Sequence, residues 1–175
     1  MNERRLHIGG GVRVPGWEVL DVRPGPHVDH VGDAADLSRF ADNTFAVVYA
    51  SHVLEHFDYQ EELLLVLKEW RRVLVPGGRL LVSVPDLDVC ARLLLMKERL
   101  DASQRFQVMR MLFGGHTHAY DYHLVGLNEE FLKGYLEGVG FVQVRRVEGF
   151  GLFDDTSSLA VDGIRISLNM EAVKP

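Results

Sequence analysis

The sequence predicts an α/β domain built on a mostly parallel sheet. From Arg5 to Pro85, short β-branched runs alternate with turn signals around one amphipathic helix. Two of those runs, FAVVYAS (45–51) and GRLLVSVP (78–85), are apolar throughout, as strands covered on both faces are. Size agrees: 175 residues, 47% of them hydrophobic, suffice to bury a core without disulfide or metal support.

Each element follows from local pattern. RLHI (5–8) reads as a strand ending in Gly9-Gly10-Gly11. WEVLDV (17–22) is a second strand closed by Pro24-Gly25-Pro26, and HVDHV (27–31) is a short third one at the edge. Between Tyr59 and Leu74, the residues Leu63, Val66, Leu67, Trp70, Val73 and Leu74 recur at three- and four-residue spacings, so this helix packs on the sheet and stops at Pro76-Gly77-Gly78. After Asp86 two helices are predicted, over 87–100 and 103–113, followed by the loop GGHTHAYDYHLVGLN. Asn128 suits the N-cap of a helix running to about Glu137, stopped by Gly138 and Gly140. A strand over 141–148, a long loop and a last strand over 164–173 complete the chain. Without repeat or linker, residues 1–175 are expected to form one domain, with 87–126 as a helical and loop insertion near the active site.

Composition narrows the partners. A formal charge of −6 argues against a general binder of phosphate backbones, so no nucleic-acid partner is expected. The single Cys90, inside the apolar run DVCARLLLM, reads as a buried, inert thiol and points to a reducing, cytoplasmic compartment. No apolar stretch approaches the roughly 18 residues of a membrane span, and MNERRLHIGGG carries no signal-like apolar segment.

A strand followed at once by consecutive glycines lets a ligand approach the backbone and leaves amide donors free. The same run also serves as a plain flexible turn, since it lacks the full G-x-G-x-x-G spacing. Asp21, ending the next strand, can accept both hydroxyls of a ribose or cap the turn at Arg23-Pro24-Gly25. Asp33, in GDAADL, lies where a carboxylate and a neighbouring amide can read an adenine edge, or where an Asx turn can form.

In their order, LHIGGG, LDV, GDAADL, FAVVYASHVLEHF and VLVPGGRLLVSVPD resemble the class I S-adenosylmethionine-dependent methyltransferases, closest to their small type-11-like members. The resemblance implies a Rossmann-like sheet of strand order 3-2-1-4-5-7-6 with the last strand antiparallel. It implies S-adenosyl-L-methionine as cofactor and S-adenosyl-L-homocysteine as product. Gly9, Gly10 and Gly11 would lie along the methionine half, Asp21 would hold the ribose, and Asp33 with Ala34 would read adenine. Ser51 and His52 would close over the methionine and sulfonium. One departure stands out. Only Val12 to Gly16 separate the glycines from the next strand, so the first crossover helix is missing or reduced to a turn. His7 also stands where the family often has an acid. The cofactor site is therefore expected to be open, covered by a second subunit of a homodimer or by the 87–126 segment.

Of eight histidines, five fall in two clusters, 52–56 and 116–123. His52-Val-Leu-Glu55-His56 matches the H-x-x-E-H pattern of zinc hydrolases, yet it directly follows a buried strand, where an α/β sheet exposes its ligand crevice. No metal ligand is assigned; Glu55 and His56 also read as a pair that fixes the loop. The cluster His116-Thr-His118-Ala-Tyr120-Asp-Tyr122-His123 can face an acceptor, tie a loop to the sheet, or offer metal ligands in no compact pattern. For a hydroxyl acceptor a base is required, and His116, His118, His123 and His52 are the candidates. The expected function is methyl transfer to a small-molecule or glycan-type acceptor. A non-catalytic cofactor-binding or assembly module and a zinc hydrolase using His52, Glu55 and His56 are the alternatives.

Overall fold

The computed structural model describes residues 3–175, so the first two residues of the expected domain lie outside it. Its main sheet has seven strands. β1 (Arg5–Ile8), β2 (Glu18–Asp21), β3 (His30–Val31), β4 (Phe45–Ser51) and β5 (Leu74–Pro85) run parallel. β6 (Val142–Val147) pairs with β9 (Ser167–Val173), and β9 is antiparallel to both β6 and β5. The order is β3-β2-β1-β4-β5-β9-β6. A separate two-strand ribbon, β7 (Ala160–Val161) with β8 (Ile164–Arg165), precedes β9, so the predicted last strand is two elements. The sheet thus has the topology implied by the sequence motifs.

Strict alternation divides the sheet into two faces. Leu6, Ile8, Val48, Ala50, Leu80, Val82, Val84, Leu168 and Met170 point into the main core, where α1 (Glu62–Val73) and α4 (Glu129–Gly138) cover them with Trp70, Leu67, Leu132 and Leu136. The residues between them, His7, Tyr49 and Leu81, point the other way. Among the described residues no helix lies between β1 and β2 or between β2 and β3, so the crossovers beside this second face are turns, while the β3–β4 connection packs Leu37 and Phe40 on the main core. An aromatic layer replaces them: Trp17, Phe150 and Phe153 pack on Tyr49 and Leu81. Trp17 therefore leaves the predicted strand to lie against the sheet. Toward the edges the same face carries Arg79 and Arg145, both of which pair with Glu171 on the strand between them.

Element ends shift for local reasons. β3 keeps only two of the five predicted residues, because Asp29 turns to accept the Val19 amide at 2.9 Å. β5 begins before Pro76-Gly77-Gly78, which enters the ladder as an irregularity between the pairs Phe45–Leu74 and Val47–Arg79. α2 (Leu87–Leu95) ends five residues before its predicted stop, and α3 (Ala102–Phe113) starts on a capping box of Asp101 and Gln104. The two pack on each other through Val89, Cys90, Leu93, Leu100 and Val108. No helix among the described residues is long and apolar enough to cross a membrane.

Candidate active site

The carboxyl ends of β1, β2 and β4 open into a cavity of about 710 Å³, within the size range of cofactor and ligand sites. Its floor is the turn after β1. Gly9 adopts φ +72°, its amide donates to Leu20 O at 2.8 Å, and a Cβ there would lie 2.7 Å from Val53 Cγ2. A side chain at Gly10 would strike the His7 ring at 2.8 Å, whereas one at Gly11 would meet nothing within 4 Å. Gly9 thus lets the strand end pass close under Val53 at the cavity floor.

Asp21 stands at the end of β2 and lines the cavity. Its Oδ1 accepts the Arg23 amide at 2.7 Å, so the turn-capping role is real and spends one carboxylate oxygen. Asp33 and Ala34 line the same cavity after β3, and Asp33 Oδ1 accepts the Ala35 amide at 2.8 Å. Across from these acids, His52 directly follows β4 with φ +55°. Its Nε2–H donates to Ser167 Oγ at 3.0 Å, because Ser167 Oγ itself donates to Thr156 O. Burial, with the nearby His123 ring, pushes the His52 pKa down to about 4, so the ring is neutral at pH 7 and keeps a lone pair on Nδ1.

The outer wall comes from the loop between α3 and α4. His118, Tyr120, Tyr122 and Leu124 line the cavity, and the loop is tied down by Asp121, which accepts from the Gly115 and Thr117 amides and the Thr117 hydroxyl. These bonds hold the Asp121 carboxyl well below the usual carboxylate range. His118 Nδ1 accepts the Tyr120 amide at 3.3 Å, which leaves Nε2–H as a donor in the neutral ring.

The cavity therefore gathers Gly9, Asp21, Asp33, Ala34, His52 and His118. Gly10, Gly11, Ser51, His116 and His123 are not in its wall. Ser51 lies on the aromatic-covered face, where its Oγ is 3.1 Å from Thr156 Oγ1. His116 stacks on Tyr122 and places Nε2 2.7 Å from Phe113 O. His123 turns away toward Met111 O, and burial pushes its pKa down to about 4. The H-x-x-E-H run forms no helical face; only Leu54–His56 makes a single 3-10 turn. Tyr120 and Tyr122 line the cavity within the cluster that the sequence offered to an acceptor, whereas Phe57, Leu65 and Leu124 were not singled out. Leu65 left a signal, an apolar residue outside the buried stripe of α1, exposed at 59%.

A mostly parallel sheet in this order with one inserted antiparallel strand, and a crevice over the ends of its first strands, is the architecture of the class I methyltransferases. Residues 20–82 match the family model described as a methyltransferase domain. No curated protein matches the sequence. A possible exported protein from Bordetella parapertussis shares the fold at a TM-score of 0.59 and 14% identity; the chain covers 99% of itself and only 63% of that protein. A methyltransferase of Thermotoga maritima, described as a possible histamine N-methyltransferase, matches at 0.61 and 18%, covering 98% of this chain and 82% of that one. An S-adenosylmethionine-dependent methyltransferase of Archaeoglobus fulgidus matches at 0.60 and 19%, with 98% and 86% covered. At these identities the likeness is one of fold. Residues 20–82 resemble a methyltransferase domain, and the sheet around them has the fold seen in S-adenosylmethionine-dependent methyltransferases.

Proposed function

We propose that the protein transfers a methyl group from S-adenosyl-L-methionine to a small-molecule or glycan-type acceptor. The observation that carries this reading is the single cavity that joins the glycine turn, Asp21 and Asp33 to the His118–Tyr122 wall. The residues present fit the cofactor: the Gly9 floor is one that a Cβ would fill, and two carboxylates sit at adjacent strand ends. When bound, the cofactor supplies an electrophilic methyl carbon on a sulfonium. The chain then has to orient an acceptor in line with that carbon and keep water out. Asp21 holds ribose hydroxyls with its uncommitted oxygen, and Asp33 with Ala34 meets the adenine. His118 directs Nε2–H at an acceptor oxygen and positions it. His52, neutral and lining the cavity with its Nδ1 beside Glu55, is the candidate base for an acceptor hydroxyl. Within the 87–126 insertion, only 118–124 reaches the cavity.

Calorimetry with S-adenosyl-L-methionine and S-adenosyl-L-homocysteine tests this. Both should bind the unaltered protein, and Asp21→Ala should weaken both at least about tenfold, the worth of a charged hydrogen bond to a hydroxyl. Unchanged affinity in that variant removes the ribose role; no binding of either ligand overturns the reading. A second reading, a non-catalytic cofactor-binding or assembly module, is favoured by the missing crossover helices beside the site. Such a module binds both ligands and transfers no labelled methyl group into a metabolite extract.

The lone, buried Cys90, whose thiol burial pushes up to about 11, supports a cytoplasmic location. The net charge of −6 supports acceptors other than nucleic acid. A homodimer would shield the open side of the cavity.

A further inference from the structure

The two histidine clusters, far apart in sequence, meet behind the cavity wall. Glu55, His56 and His123 each offer one ligand atom, and these atoms lie within 4.8 Å of one another. The rings of His56 and His123 meet edge to face with centroids 4.8 Å apart. Hydrogen bonds decide which nitrogens are free. His56 Nδ1–H donates to Tyr122 O at 3.0 Å, and His123 Nδ1–H donates to Met111 O at 2.9 Å, so each neutral ring keeps its lone pair on Nε2. Glu55 is 2% exposed, and neither carboxylate oxygen has a hydrogen-bond partner. The backbone holds this frame rigid, with the Leu124 amide on Glu55 O at 2.7 Å and the His123 amide on Phe113 O at 3.1 Å. A buried carboxyl group without a hydrogen-bond partner, beside two imidazoles that each keep a lone pair, is a donor set that a cation would satisfy.

We propose that Glu55, His56 and His123 bind one divalent transition-metal ion of the zinc class. Imidazole ligands favour such ions over magnesium or calcium, which ask for oxygen donors. Two histidines and one carboxylate are the ligand set of a reactive zinc, with a coordination position left open. The backbone carbonyls of Tyr122 and Met111 on the distal N–H groups are the usual means of fixing ligand tautomers. This set differs from the H-x-x-E-H pairing suggested by the sequence. His52 is committed through Nε2 to Ser167, and its Nδ1, 3.3 Å from Glu55 Oε1, lies outside the proposed ligand set. His56 lines the cavity while Glu55 and His123 do not, so the open position meets the cavity beside His56 and takes an oxygen- or nitrogen-bearing acceptor. The ion site stands on its own geometry; only the acceptor contact rests on the methyl-transfer reading.

Full-length protein freed of metal with a chelator is titrated with Zn²⁺ by calorimetry, with native mass spectrometry for stoichiometry. One ion per chain is expected. Glu55→Gln and His123→Ala should each weaken binding at least about tenfold, and His27→Ala, which lies outside the cluster, should leave it unchanged. Co²⁺ added to the unaltered chain gives a readout that does not depend on any variant folding: visible absorption bands of a nitrogen- and oxygen-ligated site of low coordination number, bleached by excess zinc. Absence of both stoichiometric zinc and these bands overturns the site, as does zinc binding that survives both substitutions. S-adenosyl-L-homocysteine titrated into the same metal-free sample reports on the proposed function separately. A chain that binds this nucleoside but no zinc overturns the ion site alone.

Discussion

Consecutive glycines after β1 differ in what they do. Gly9 combines a left-handed backbone with a close approach of Val53, and Gly10 is confined by the His7 ring and Val19, while Gly11 faces open space. Gly9→Ala and Gly10→Ala are each expected to cost about 1–3 kcal/mol, and Gly11→Ala to stay within about 0.5 kcal/mol, in urea midpoints at fixed m-value. Equal losses at Gly9 and Gly11 would contradict the structure. The histidines divide in the same residue-by-residue way. His52 and His118 reach the cavity, whereas His116 and His123 turn their ring nitrogens to carbonyls at the end of α3. Sequence could mark all four as titratable groups in loops. It could not separate them, because the direction of a ring depends on which carbonyl folding brings within reach.

At the scale of elements, the segment joining α3 to α4 is a built wall rather than slack chain. Asp121 collects three donors and so closes the stretch 115–121 on itself. Asp121→Ala should speed hydrogen exchange at the Gly115 and Thr117 amides, with Asp121→Asn in between because its amide oxygen still accepts. The acid dependence follows from the depressed pKa. Stabilisation by this carboxylate is complete above its unfolded value of about 3.9 and is lost as pH falls through the lower folded value. Exchange at these amides, compared between pH 6 and 4.5, should therefore show no change attributable to Asp121 protonation. The loop's density of Asp, His and Tyr was visible in sequence. Its internal bonding was not, since Asp121 could equally have served as a cap or a ligand until the chain direction was known.

For the molecule as a whole, the decisive feature is a sheet with helices on one face and aromatic rings on the other. His7 lies under those rings, 3% exposed, with centroids 4.1 Å from Phe153 and 4.9 Å from Tyr49. Burial pushes its pKa down to about 4, so the unfolded chain takes up a proton before the folded one does. Its contribution to stability is full above the unfolded value of about 6.5 and declines as pH falls toward 4. Between pH 7.5 and 5 the unaltered protein should lose roughly 1–2 kcal/mol more than His7→Leu in paired urea titrations. Parallel curves for the two proteins would mean that His7 is solvated.

While the strand order came through the family resemblance, sequence by itself determined the α/β class with its buried strands, the glycine turn with the acids after β2 and β3, and the loss of the first crossover helix. These are local properties: a period of two, a turn residue, or a connection too short for a helix. Tertiary structure alone decided what covers the second face and what meets at the histidines. The loop 149–158 reads as an ordinary connection, yet Phe150 and Phe153 complete the aromatic layer and Asp155 accepts the Tyr49 hydroxyl at 2.7 Å across 106 residues of chain. Glu55 and His123 also converge from distant parts of the chain. Alternation says which side chains share a face. It carries no information about which distant loop will lie on that face, because that choice is made by shape and by hydrogen bonds that exist only once the chain has closed.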